Sequence, residues 1–141
     1  MMSYYWPIGL VVLSNIIYHI CAKSTPDRID PLAALTVTYT VAAVVSMAFY
    51  FSMHRGGNLL REYSRLNWTP FVLGIVIVGL EFGNISMYKV GWNINTGYLI
   101  QSVVLAVALL VVGFLLYKEA ISFTKVLGII VCIIGILILN K

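Results

Sequence analysis

Phe71-Val72-Leu73-Gly74-Ile75-Val76-Ile77-Val78-Gly79-Leu80-Glu81-Phe82-Gly83-Asn84-Ile85-Ser86-Met87 is an apolar run that holds one carboxylic acid. Extended from Pro70 to Trp92, it is long enough to cross a bilayer, which takes about 20 predominantly apolar residues. An ionised side chain at mid-bilayer costs roughly 2.5–3.5 kcal/mol on insertion scales. Glu81 is therefore neutral, paired, or turned toward a water-filled cavity, and each option marks a candidate site.

The rest of the chain repeats the pattern. Of its 141 residues, 61% are hydrophobic and 10% charged, with a mean hydropathy of +0.97. A soluble domain cannot hide that much apolar surface, whereas a polytopic membrane protein turns it to lipid. The reading is an all-α transmembrane helix bundle of five spans forming one domain over residues 1–141, with spans at about 6–22, 31–53, 70–92, 98–117 and 123–139. Helices are expected because each satisfies its own backbone groups inside lipid. Pro31 and Pro70 stand where a helix start tolerates proline. Gly56-Gly57 breaks the loop from His54 to Thr69, in which Leu59, Leu60, Tyr63 and Leu66 suit a short amphipathic turn at the interface.

Five spans leave no room for a soluble catalytic or nucleic-acid-binding domain. The net charge of +4 is scattered among loops and does not form a phosphate-binding surface. No nucleophile is paired with a base and no metal-ligand cluster stands out, so neither an enzyme nor a cofactor or metal is expected. Cys21 and Cys132, both in apolar segments, read as buried small hydrophobes. Tyr4, Tyr5 and Trp6 read as an interfacial anchor, with no basic region before them to suggest a cleaved leader.

An odd number of spans puts the termini on opposite sides. Arg55, Arg61, Arg65, Lys118 and Lys125 lie on the N-terminal side, and Lys23, Arg28, Lys89 and Lys141 on the other. Five against four does not fix an orientation, and both alternatives stay open: one orientation set by Arg61 and Arg65, or insertion both ways. Many secondary transporters consist of two inverted repeats around a midplane site. This chain has the length of one such repeat, which an antiparallel homodimer would complete.

Polar residues inside the spans recur at helical spacing. Asn15, Tyr18 and His19 form one stripe, Thr36, Tyr39 and Thr40 a second, Glu81, Asn84 and Tyr88 a third, and Tyr98, Gln101 and Ser102 a fourth. Converging, they would line a cavity in which Glu81, Asn15, His19, Asn84, Tyr98 and Gln101 bind a substrate or proton. Each stripe also has an ordinary reading. The threonines can bond back to their own helix, Asn15 and Gln101 can join helices, and Tyr88 and Tyr98 can sit in an interfacial belt. His19 can be a wet structural histidine near its span end, a proton relay, or a partner for Glu81. A carboxyl group in hydrocarbon favours its neutral form, and one that gives up its proton to admit a cation supports coupled antiport. Gly128 and Gly135, seven residues apart, share a face fit for close packing within the subunit or at a dimer seam.

The tail Phe114-Leu115-Leu116-Tyr117-Lys118-Glu119-Ala120-Ile121-Ser122, followed by Gly128 and Gly135, resembles the "GE-x-L/I-S/T … G … G" ending of the drug/metabolite transporter superfamily. Lys118 stands where that ending has glycine, and the resemblance makes Glu119 a structural marker. The five-span layout resembles one half of the ten-span EamA-type members. The first, third, fourth and fifth spans are similar to the four spans of the small multidrug resistance family, with Asn95-Thr96-Gly97 at its "P-T-G" turn and the two glycines on its dimerising helix. Asn15 stands where that family has its essential acid, so its two-glutamate exchange does not carry over. The resemblance implies a small transporter in the bacterial inner (plasma) membrane. It would move a small polar or cationic molecule as a homodimer of dual topology among membrane lipids, without nucleic acid. The alternative is a non-transporting membrane subunit, or a component of a flippase for a lipid-linked intermediate, acting with a partner.

Overall fold

The computed structural model describes residues 2–120 and 122–139, and its described residues contain helices and no strand. In order these are α1 (Met2–Lys23), α2 (Pro31–Met53), the five-residue α3 (Leu59–Tyr63), α4 (Thr69–Lys89), α5 (Ile94–Tyr117) and α6 (Phe123–Leu139). Ile121 and Lys141 lie outside the described residues, as does the side chain of Tyr4. Helices α1, α2, α4 and α5 are long and apolar enough to cross a membrane. The 21 residues of α4 rise about 32 Å at 1.5 Å per residue, against a hydrocarbon core of about 30 Å. The apolar stretch of α6, Phe123–Ile138, is shorter. The architecture is an all-α polytopic bundle.

Local chemistry sets the helix ends. Asp30 is extended (φ −65°, ψ 131°), and its carboxylate accepts from the backbone N–H groups of Leu32 at 2.8 Å and Ala33 at 3.2 Å. Pro31 then occupies the first turn of α2, where its missing N–H has no helical partner to lose. Asn58 starts α3 by accepting from the Arg61 N–H at 3.2 Å, and the Asn67 side chain accepts from the Thr69 N–H at 3.0 Å to start α4. Gly91, at φ 102°, takes a conformation that side chains resist and marks the break after α4. Helix α5 resumes at Ile94, after an extended Asn93 (φ −75°, ψ 147°) whose carbonyl accepts from the Gly97 N–H at 2.9 Å. Asn95-Thr96-Gly97 thus forms the first turn of a helix, where the sequence suggested a turn between helices.

The chain forms two compact units, Met1–Lys89 and Val90–Lys141. In the first, α4 packs against both α1 and α2. Ala22 of α1, Leu35 of α2 and Ile85 and Tyr88 of α4 are buried, with Tyr18, Tyr39, Val78 and Met87 packed around them. The Lys89 ammonium group donates to the backbone carbonyls of Asp27, at 3.1 Å, and of Ile29, which ties the end of α4 to the loop between α1 and α2. That loop places Lys89 beyond any pairing with Glu81, eight residues back along the helix. Apolar side chains cover the outward helix faces, as contact with lipid or with another chain requires.

In the second unit, α5 packs against α6. Helix α5 stops at Lys118, whose backbone is left-handed at φ 52°. The N–H groups of Lys118 and Glu119 both donate to the Gly113 carbonyl, the latter at 3.0 Å. Position 118 is where the resembled ending has glycine, and this backbone gives the reason: an L side chain is strained there. A Cβ on Gly113 would come within 3.2 Å of a Glu119 carboxylate oxygen. Glu119 therefore closes the end of α5 from both backbone and side chain. Cys21 and Cys132 are free and exposed on the helix surfaces, where burial inside the chain was expected; each belongs to a helix face that the chain itself does not cover.

Candidate functional site

Helix α4 builds the site because its inward face repeats every three or four residues. Val78, Glu81, Asn84, Ile85 and Tyr88 fall on that face. Helix α1 supplies Tyr18, His19 and Ala22, and α2 supplies Leu35 and Tyr39. Two polar layers result, separated by the seven-residue step from Glu81 to Tyr88, about 10 Å of helix rise.

The layer near the loop end is a formed bond. The Tyr88 hydroxyl and His19 Nδ1 share a hydrogen bond of 2.8 Å between helices 69 residues apart in sequence. Both partners are buried, at 5% and 7% exposure. The Tyr18 ring meets the His19 ring edge-on at 4.9 Å, and the Lys23 ammonium lies 5.6 Å over the Tyr88 ring. Tyr88 is thus an interior contact of α1 and α4, where an interfacial belt was one reading. His19 is buried between α1 and α4, where a wet position near the span end was expected.

The layer around Glu81 is unsatisfied. The Glu81 carboxyl group neighbours the Tyr18 and Tyr39 hydroxyls, and the Asn84 amide also lies within reach of Tyr18. None of these approaches closes to a formed hydrogen bond. The Tyr18 and Tyr39 hydroxyl oxygens and Asn84 Oδ1 are buried and have no partner in the described protein. The Asn84 amide nitrogen donates one of its two hydrogens to the Leu80 carbonyl at 3.0 Å. Among the described residues, no lysine or arginine forms an ion pair with Glu81. Buried polar atoms in native proteins are almost always bonded to protein or water, so three unmet oxygens beside an acid set this layer apart from the apolar packing around it.

The other expected site residues are distributed differently. Asn15 spends its amide on its own helix, donating to the Val11 carbonyl at 3.0 Å. Thr36 and Thr40 likewise donate to Ala33 and Thr36 carbonyls, each at 2.7 Å. Tyr98 and Gln101 belong to α5 in the second unit, Tyr98 being 41% exposed and Gln101 Oε1 buried without a partner. Gly128 and Gly135 have nothing within 4 Å of a Cβ built on them. A groove of about 420 Å³ runs along Ala106, Leu110, Glu119, Lys125, Gly128 and Cys132, entirely within the second unit. No group of three or more His, Cys, Asp or Glu side chains gathers among the described residues. The two tyrosines on Glu81 were visible in the stripes but not singled out, because spacing cannot separate a phenol facing an acid from one facing lipid headgroups.

Residues 4–141 match the family model of the EamA-like transporter family. The chain belongs to that family. EamA-like proteins are membrane transporters of small solutes, and this chain is an integral, multi-pass membrane protein of that kind. Among curated proteins and among solved structures, nothing matches. For an EamA-like transporter, an acid set among unbonded hydroxyls on the inward face of a span is the arrangement that calls for a chemical role.

Proposed function

We propose that this EamA-like protein moves a small polar or cationic metabolite across the bacterial inner membrane, with Glu81 exchanging a proton for the cation. One observation carries the reading: Glu81, on the inward face of α4, is bordered by the buried and unbonded oxygens of Tyr18, Tyr39 and Asn84. Protonated, Glu81 is neutral and tolerable in the membrane. Ionised, it needs a counter-charge that the neighbouring side chains do not provide, and a cationic substrate supplies it. His19 and Tyr88 position the site by holding α1 against α4, and Asn15 lies one turn further along α1.

The working unit in this reading is a homodimer of two oppositely inserted copies, seamed at the open face of Gly128 and Gly135. The balanced loop charges and the uncovered glycines support it. The test is counterflow in proteoliposomes, with an inward or outward proton gradient imposed. Wild type should accumulate an organic cation against the gradient and Glu81→Gln should not. Equal, gradient-driven accumulation by both would remove Glu81 from the coupling.

A further inference from the structure

The groove in the second unit has a chemistry that the Glu81 reading leaves unused. It holds about 420 Å³, within the roughly 300–1,000 Å³ of ordinary ligand sites. Ala106 and Leu110 of α5 and Gly128 and Cys132 of α6 line its apolar length, and Glu119 and Lys125 bring it one charge of each sign. Both charged residues are exposed, so a ligand reaches them without rearrangement. Gly128 has nothing within 4 Å of a Cβ built on it, which leaves the groove wide where α6 borders it.

The fold does not account for the two charges. Among the described residues, Glu119 and Lys125 form no ion pair with each other or with Lys118. Lys125 lies in the first turn of α6, and Glu119 just past the last turn of α5. Those are the helix ends at which the macrodipole disfavours a cation and an anion respectively. An acid and a base held apart beside one groove suit a ligand that brings the opposite charge to each.

Polarity along the groove defines the kind of ligand. Helix α5 is long and apolar enough to cross a membrane, so its end at Tyr117 puts Glu119 at the level of the membrane surface. From Lys125 the groove follows α6 to Cys132, seven residues or about 10 Å along the helix. It is charged at the surface and apolar toward the hydrocarbon, which is the polarity of a phospholipid. A zwitterionic headgroup carries a phosphate for Lys125 and an ammonium for Glu119. In the proposed dimer, an oppositely inserted copy holds its own Glu119 and Lys125 at the other membrane face, so the seam does not pair these charges.

We propose that the groove between α5 and α6 binds a phospholipid with a primary-amine headgroup, phosphatidylethanolamine. Its phosphate lies on Lys125, its ammonium on Glu119, and an acyl chain along Ala106 and Gly128. The site is independent of Glu81, so either reading can fail alone.

The test is native mass spectrometry of the delipidated full chain in detergent. The ligands are dioleoyl phosphatidylethanolamine, dioleoyl phosphatidylglycerol and the chainless headgroup glycerophosphoethanolamine. Wild type should hold phosphatidylethanolamine about threefold or more tightly than phosphatidylglycerol, the size of one exposed charge pair. Glu119→Gln should erase that preference, and Lys125→Gln should weaken both lipids about threefold. Ala106→Leu narrows the groove without touching either charge and should weaken both lipids, so it and Lys125→Gln report even if Glu119→Gln fails to fold. Equal binding of the two lipids by wild type, or a preference that survives Glu119→Gln in folded protein, would overturn the proposal. Displacement of the lipid by an equal concentration of glycerophosphoethanolamine would make this a site for a small soluble zwitterion and overturn the lipid assignment. A folded dimer that takes up no lipid would give the groove to the second copy and overturn it as well.

Discussion

Replacing Tyr88 with phenylalanine removes one oxygen from the contact between α1 and α4 and leaves the ring in place. The hydroxyl shares a 2.8 Å bond with His19 Nδ1, whereas the ring itself carries the Lys23 contact at 5.6 Å and survives the change. A typical hydrogen bond contributes about 0.5–1.5 kcal/mol net. Bonds between membrane helices average about 0.6 and reach about 1.7 kcal/mol. Both partners here are under 10% exposed, which places the expected coupling near the middle of that range, about 1 kcal/mol. A double-mutant cycle of wild type, Tyr88→Phe, His19→Leu and the combined variant isolates the term. Unfolding in mixed micelles of rising denaturing-detergent fraction, followed by circular dichroism, gives the four stabilities. Additivity within about 0.3 kcal/mol would refute the claim that this bond joins α1 to α4.

Lys118→Gly should stabilise the second unit by about 0.5–1 kcal/mol, because a side chain at φ 52° costs about 1–2 kcal/mol and glycine returns part of that as lost chain freedom; the same unfolding titration checks it, and destabilisation would contradict the left-handed end. Asp30→Ala should cost about 1 kcal/mol through loss of the α2 cap, while Asp30→Ser should restore most of it. Thr40→Val should leave transport within about twofold of wild type, since its hydroxyl is spent on the Thr36 carbonyl at 2.7 Å. A large loss in the proteoliposome assay would put Thr40 in the pathway.

The membrane fold could be read from residue types because lipid imposes a blunt rule: about 20 apolar residues in a row, then a break. Pro31 and Pro70 announced two helix starts, whereas α4 ends at Lys89, before Gly91, inside the span expected to run to Trp92. The start of α5 was less legible, since Asn95-Thr96-Gly97 has turn-forming residues yet fits a first helical turn. Helical spacing placed Glu81, Asn84 and Tyr88 on one face, and that face does turn inward. Spacing within one helix carries no information on which helix faces which, so the partnership of Glu81 with Tyr18 and Tyr39 lay beyond it. Nor could it show that Tyr88 and His19 bond to each other across 69 residues. The left-handed backbone at Lys118 was hidden for another reason: the residue that would have signalled it, glycine, is absent there.

In the proposed cycle Glu81 holds a proton which a cation displaces. Detergent-purified protein in weak buffer, given amines, guanidinium compounds and quaternary ammonium ions in turn, should release protons on binding the cations it carries. Glu81→Gln, folded to the same degree by circular dichroism, should release none. Proton release from the variant equal to that of wild type, or silence from folded wild type toward every cation, would contradict the account.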